Sequence, residues 1–293
     1  MLKITRREML QKGGRLAAGA AIGTAGLPLI GCSVSSEHID RLPPEALRPA
    51  DLEDLKLTVL YDNCSYKKGL KVDWGFSCLV EGLEHTILFD TGRHDTFLLS
   101  NMESLGVDPA RIDDIVISHK HMDHTGGLDT LVEMKVGKNV CLVKSITLGL
   151  RGKLADYGAT LTEIDAPVVI AKGALSTGAM KRVLVSEQGL IVLTSRGVIL
   201  IVGCSHPGIV EMVARARRLT GMEVLLVIGG LHLLNHYAPD VEEIVVQLKD
   251  LGVQYVAPTH CTGAEERRII SSGYGKKYLD SGAGRVITAG DFL

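Results

Sequence analysis

From residue 55 onward the chain repeats one pattern: apolar runs of four to seven residues, rich in Val, Ile and Leu, closed at their ends by Gly or Asp. Runs this short and so bounded read as strands. They fall at 55–61, 76–81, 86–89, 115–118, 183–186, 190–194, 198–202 and 224–228, with another beginning at Tyr255, and Gly189 and Gly197 serve as turn residues. Longer stretches of mixed character at 95–105, ended by Gly106, at 126–133 and at 209–219 predict helices. Residues 135–180 alternate short apolar runs with Gly and receive no assignment. Before residue 55 the pattern differs. Residues 16–30 form an apolar run of 15 residues, and 33–54 carry Ser33, Ser35, Ser36, Pro43, Pro44 and Pro49, the composition of a tether with little regular structure.

The polar chemistry collects where the apolar runs stop. Ile115-Val116-Ile117-Ser118 is followed at once by His119-Lys120-His121-Met122-Asp123-His124. Extended backbone sends residues two apart to the same side, so His119 and His121 point into one pocket. The chain then turns, and Asp123 and His124 reach around the same spot as the next helix begins. Three imidazoles and a carboxylate within six residues suit one or two divalent ions, with zinc the favoured ion and manganese or iron as alternatives. The competing reading is a polar surface turn, but such turns seldom gather three histidines directly after a buried strand.

Other runs end in comparable groups: Asp90-Thr91-Gly92, Gly203-Cys204-Ser205-His206-Pro207-Gly208, Gly229-Gly230-Leu231-His232-Leu233 and Pro258-Thr259-His260-Cys261-Thr262-Gly263. Each has a plainer reading. Asp90 fits an ordinary turn, His206 a cap on the helix at 209–219, His232 a satisfied histidine at a strand end, and His260 a residue that binds nothing.

Taken together these groups resemble the metallo-β-lactamase superfamily, whose hallmark His-x-His-x-Asp-His stands at 119–124. The resemblance spans residues 55–293. It implies an α/β fold, a four-layer αββα sandwich of one domain with the metal site at its edge. It places Asp90 beneath the site as an acceptor for a liganding histidine. Many members open a later hairpin with a third histidine and close it with an aspartate bridging two metals. This chain has Glu187-Gln188 at the first place and Cys204 with His206 at the second. The inferred ligand sets are therefore His119, His121 and His206 for one ion and Asp123, His124 and His260 for a second, bridged by a water or hydroxide alone. Asp123 would also orient the nucleophile, and His232 is the candidate to touch substrate or protonate a leaving group. Within the superfamily the groups at 203–208, 229–233 and 258–263 resemble the dihydropterin ribofuranosylaminobenzene phosphate synthase-like branch, in which Asp73-Trp74-Gly75-Phe76-Ser77 would face the site. The activity implied is hydrolysis of an ester, phosphoester, phosphodiester, lactone or amide of a small-molecule substrate. A diiron redox site and a non-catalytic metal- or ligand-binding surface lipoprotein stand as alternatives.

Composition and charge narrow this further. At 293 residues and 46% hydrophobic content the chain can bury a large core. The formal charge is −2, but residues 1–31 carry Lys3, Arg6, Arg7, Lys12 and Arg15 against Glu8, a net of +4 that leaves −6 for the remainder. A body so acidic, without a basic stripe, argues against sequence-independent nucleic-acid binding and leaves room for a local phosphate pocket. Thr5-Arg6-Arg7-Glu8-Met9-Leu10 resembles a twin-arginine export signal, and Leu29-Ile30-Gly31-Cys32 resembles a bacterial lipobox. Residues 1–31 then form the signal, 32–54 the tether and 55–293 the domain, with a lipid on Cys32 holding the protein to the outer face of the membrane or in the periplasm. The alternatives are a plain signal cut nearby and an uncleaved anchor. Beyond Cys32 lie Cys64, Cys78, Cys141, Cys204 and Cys261, an odd number without zinc-knuckle spacing. Cys204 and Cys261 adjoin the metal groups, and a Cys64–Cys78 disulfide is left open, as is the oligomeric state.

Overall fold

The short apolar runs do become strands, and they sort into two sheets. The computed structural model describes residues 48–292, without the side chains at 148 and 149. The expected signal at 1–31 and most of the expected tether at 32–54 lie outside the described residues.

In chain order the first sheet takes β1 (Lys56–Tyr61), β2 (Ser77–Glu81), β3 (Ile87–Phe89), β4 (Asp114–Ile117), β5 (Asn139–Val143) and β6 (Thr160–Ile164). The second takes β7 (Val168–Ala171) and β8 (Ala174–Ser176), then, after a separate hairpin of β9 (Met180–Arg182) and β10 (Val185–Glu187), β11 (Leu190–Thr194), β12 (Gly197–Val202), β13 (Val224–Gly230) and β14 (Tyr255–Thr259). The last strand, β15 (Val286–Ile287), returns to the first sheet beside β1, giving the orders β15-β1-β2-β3-β4-β5-β6 and β14-β13-β12-β11-β8-β7.

Alternation along each strand builds the layers. On β12, Ile199 and Ile201 face the other sheet and join Leu57, Val59, Phe89 and Val116 in the core between the sheets. Val198, Leu200 and Val202 face outward onto α5 (Ile209–Thr220), α6 (Ala238–Asp250) and α7 (Ala264–Tyr274). On the opposite side Ile115 and Ile117 of β4 pack with α1 (Asp95–Leu105), α3 (Leu128–Glu133) and α4 (Arg151–Asp156). Both sheets are covered on both faces, which is why their strands read as unbroken apolar runs. The result is the expected four-layer αββα sandwich in a single domain. Among the described residues no helix is long and apolar enough to cross a membrane.

Three local expectations are corrected, and the pairing left open at Cys64 and Cys78 is decided. The run at 183–186 is not one strand, because Val183 and Leu184, each 81% exposed, form the turn between β9 and β10. The helix expected over 126–133 is preceded by a separate helical turn, α2 (Met122–Thr125), which already holds Asp123 and His124. The end of the tether is docked: Ala50 bridges to Thr194, and Leu52 is buried at the start of a short 3-10 turn, so packing begins before residue 55. Cys64 and Cys78 are free thiols, one exposed and one buried.

Strands β3, β4, β5 and β6 run parallel to one another, as do β12, β13 and β14. The groups singled out in the sequence follow the carboxyl ends of β3, β4, β12, β13 and β14, the place where open parallel sheets present their ligands.

Candidate metal centre

Asp90 follows β3 and is fully buried, with a carboxylate that accepts three hydrogen bonds at 2.7 Å: from Ser118 N, Ser118 Oγ and His124 Nδ1. Ser118 Oγ, having given its proton to Asp90, accepts from His119 Nδ1 at 2.9 Å. One carboxylate thus fixes both rings. The approach is tight, since a Cβ at Gly203 would come 2.2 Å from Ser118 Oγ and 3.0 Å from Asp90 Oδ2.

Two other rings are anchored in the same manner from other elements. Glu187, fully buried at the end of β10, accepts from the successive amides of Cys204, Ser205 and His206 at 2.9, 2.8 and 2.8 Å and from His206 Nδ1 at 2.8 Å. Asn63 Oδ1 accepts from His260 Nδ1 at 3.0 Å, while its Nδ2 donates to His260 O at 3.1 Å. In His119, His124, His206 and His260 the Nδ1 is therefore occupied, and the Nε2 lone pair is directed into the pocket. Orienting an imidazole through its outer nitrogen is how proteins prepare metal ligands.

The inward atoms form adjacent sets. His119, His121 and His206 make one; Asp123, His124 and His260 make the other, with Cys204 among them. His119 Nε2 and His121 Nδ1 lie 3.0 Å apart, Cys204 Sγ and His124 Nε2 3.2 Å, and Asp123 Oδ2 stands 3.3 Å from His260 Nε2 and 3.5 Å from His124 Nε2. Ligands around one tetrahedral zinc ion lie roughly 3.3–3.8 Å apart, given bonds of about 2.0–2.3 Å. The spacing fits a cation. So does His260 Nε2, which is buried and makes no hydrogen bond among the described residues, Asp123 being in ionic contact only.

Electrostatics point the same way for three of the rings, while at His260 burial is outweighed by the Asp123 carboxylate, which raises the pKa. Burial, reinforced by neighbouring rings, holds His119 well below the usual histidine range, lowers His121, and takes His124 down to about 3. Neutral imidazole is the form that binds metal. Burial works to raise Asp123, yet His260 and His124 outweigh it and leave the carboxyl below its ordinary range. Burial likewise opposes ionisation of Glu187, but the bond from His206 and the proximity of His119 prevail. At Asp90 burial wins, raising the carboxyl well above the carboxylate range against the donations of Ser118; a cation held nearby would favour the ionised form.

Every ligand candidate from the sequence reaches this spot. His232, which follows β13, is exposed, lies with its ring 4.6 Å from that of His206 and tilted to it by 47°, and shares a third grouping with Cys204 and His206. Two contributors escaped the sequence reading, Glu187 as a brace and Asn63; Trp74 stands where the resemblance put it. Glu187 stands where many members carry a ligand, but here it braces the loop that carries one. Asn63 and Trp74, whose ring lies 4.9 Å from that of His260, come from the loop between β1 and β2. Non-glycine residues with positive φ concentrate here: Asp90, Ser205, His232 and His260 have φ of 57°, 61°, 56° and 47°. Such backbone costs energy and persists where surrounding contacts over-determine it, typically at functional sites.

Comparison with known proteins agrees with the geometry. The family model of the metallo-beta-lactamase superfamily matches residues 75–185. The crystal structure of Tm1679, a metal-dependent hydrolase of the β-lactamase superfamily, is 30% identical, with a TM-score of 0.69 over 80% of this chain and 99% of its own. The chain belongs to the metallo-β-lactamase superfamily. In Methanocaldococcus jannaschii, 7,8-dihydropterin-6-methyl-4-(beta-D-ribofuranosyl)-aminobenzene-5'-phosphate synthase is 27% identical over 80% of this chain and 97% of its own length. An uncharacterised protein of the same organism is 30% identical over 71% of this chain and 90% of its own. The metallo-β-lactamase fold implies divalent metal binding, and the His/Asp/Cys cluster is the place for it.

Proposed function

We propose that the protein is a metal-dependent hydrolase acting on an ester, phosphoester, phosphodiester, lactone or amide. The observation that carries this reading is the set of four histidines anchored through Nδ1 so that their free nitrogens converge with His121 and Asp123 on two neighbouring positions. His119, His121 and His206 would hold one ion; Asp123, His124 and His260, with Cys204 alongside, would hold the other. Zinc suits this mixture of nitrogen, oxygen and sulfur donors. When bound, the metal supplies Lewis acidity and a water acidic enough to furnish hydroxide near neutral pH.

The chain's own residues complete the chemistry. Asp123, kept ionised by the histidines around it, orients the attacking water through its carboxylate. His232 lies at the mouth of the site, and contact with Cys261 raises its pKa, the direction that suits a proton donor to the departing oxygen or nitrogen. A redox centre would favour a carboxylate between the two sets, and Cys204 stands there instead.

The test is metal analysis of protein purified without added metal, joined to a turnover screen over phosphodiesters, lactones, esters and amides with chelator controls. Chelation should abolish turnover and metal restore it. His119→Ala should lose metal and at least about 100-fold in rate, several kcal/mol of transition-state stabilisation. Full metal content together with full turnover in that variant overturns the assignment.

A further inference from the structure

Next to the metal centre, on the side of His206 and His232, lies a cavity of about 270 Å³. Arg182, His206, Glu211, His232 and His236 supply its charged and titratable lining. Arg182 belongs to β9, whose hairpin partner β10 ends in Glu187, the residue that braces the His206 loop. The hairpin thus places a guanidinium and the first ligand set in fixed relation.

That guanidinium has no work of its own in the fold. Arg182 is exposed and its side chain makes no hydrogen bond or ion pair with any described residue, unlike those of Arg151, Arg217, Arg267, Arg268 and Arg285, which all pair with carboxylates. Glu211, the one carboxylate of the cavity lining, does not neutralise it. Glu211 lies against the start of its own helix, where a Cβ on Gly208 would come 2.1 Å from Oε2. An arginine always carries its charge and offers a planar fork of donors matched to phosphate or carboxylate oxygens. His232 and His236 add ring N–H donors on the same cavity in either protonation state.

We propose that this cavity receives an anionic oxygen group of the substrate, a phosphate or a carboxylate, and holds it on Arg182 while the scissile bond lies at the metal centre. The substrate is then an organic anion whose charged group is separate from the bond that breaks. This rests on the hydrolase reading for its meaning, but the anion site is tested by binding alone.

The experiment is calorimetric titration of the metal-loaded protein with inorganic phosphate and, separately, benzoate, using acetohydroxamate as a metal-directed probe. Wild type, Arg182→Gln and Arg182→Lys are compared. Arg182→Gln should weaken at least one anion by about 10-fold or more, the loss of a charge-assisted bidentate contact. Arg182→Lys should recover part of it, and acetohydroxamate should bind all three alike. The anion whose affinity falls names the group the cavity takes. Unchanged affinity for both anions in Arg182→Gln, or an equal loss for acetohydroxamate, overturns the proposal. Because no turnover is read, failure to find a hydrolysed substrate leaves this result standing, and failure here leaves the metal chemistry standing.

Discussion

Replacing Glu187 by Gln keeps the size of the side chain and changes one oxygen into an amide nitrogen. In the native protein Oε1 accepts from Cys204 N and Ser205 N, while Oε2 accepts from His206 N and His206 Nδ1, both at 2.8 Å. The amide can keep the first pair only by turning its NH₂ toward the second, so two donors face two donors. Hydrogen bonds to a charged group contribute about 1.5–3 kcal/mol each, so losing the two on Oε2 costs at least about 3 kcal/mol. A loss of about 3 kcal/mol lowers Tm by at least roughly 6 °C in a domain of this size. Metal affinity should suffer as well, because His206 loses the bond that fixes its ring; such losses run to about 10–100-fold. Chelator competition against a chromophoric indicator, with metal counted by emission spectroscopy, reads the effect directly. The ion on the His119, His121 and His206 set should weaken, while that on the set with His124, anchored by Asp90, should hold. Glu187→Gln protein with wild-type Tm and two ions of unaltered affinity would refute the bracing role.

Two further outcomes follow from other parts of the fold. His85 Nδ1 lies 2.6 Å from the buried Asp114 carboxylate, and that bond raises the His85 pKa. Its stabilisation is fully present below the ordinary histidine value of about 6.5 and is lost as pH rises through the raised folded value. Because the His85 side chain is 42% exposed, the effect is small; Tm measured from pH 6 to 9 should fall less steeply in His85→Gln, and an unchanged slope rejects the assignment. Trp74 is the sole tryptophan and sits beside the His260 ring, so stripping and restoring metal should change the intrinsic fluorescence. His260→Ala should remove that response, and a signal indifferent to a verified change in metal content shows that His260 is not a ligand.

Much of this was legible because the chemistry sits at the ends of runs that are themselves unmistakable. His119 to His124 follow a strand buried on both faces, and His206, His232 and His260 follow three parallel neighbours, so the fold delivers them to one edge. The brace of the His206 loop was not legible. Glu187 meets its partner 19 positions later, and in the sequence it reads as a polar turn residue between two apolar runs; only its full burial shows the role. Asn63 serves a histidine 197 positions away and carries no local signal. The hairpin at 180–187 was misjudged for a different reason: Val183 and Leu184 are apolar but exposed, so the pattern counted as strand what the backbone uses as a turn. Residues 135–180 lacked contrast because β6 and β7 lie at the far edges of their sheets and are only partly buried.

The order in which the second sheet is completed bears on when the centre can fill. His260 follows β14, which joins β13 only after the α6 crossover has been made, so a chain still emerging from the ribosome already displays the histidines at 119–124 but lacks their last companion. Binding energy that belongs to the finished state alone stabilises that state and no earlier one. Under the proposed ligand sets, capture of an ion would be a quality check performed by the molecule on itself: a copy that held its full complement would, by that fact, have closed both halves of its architecture.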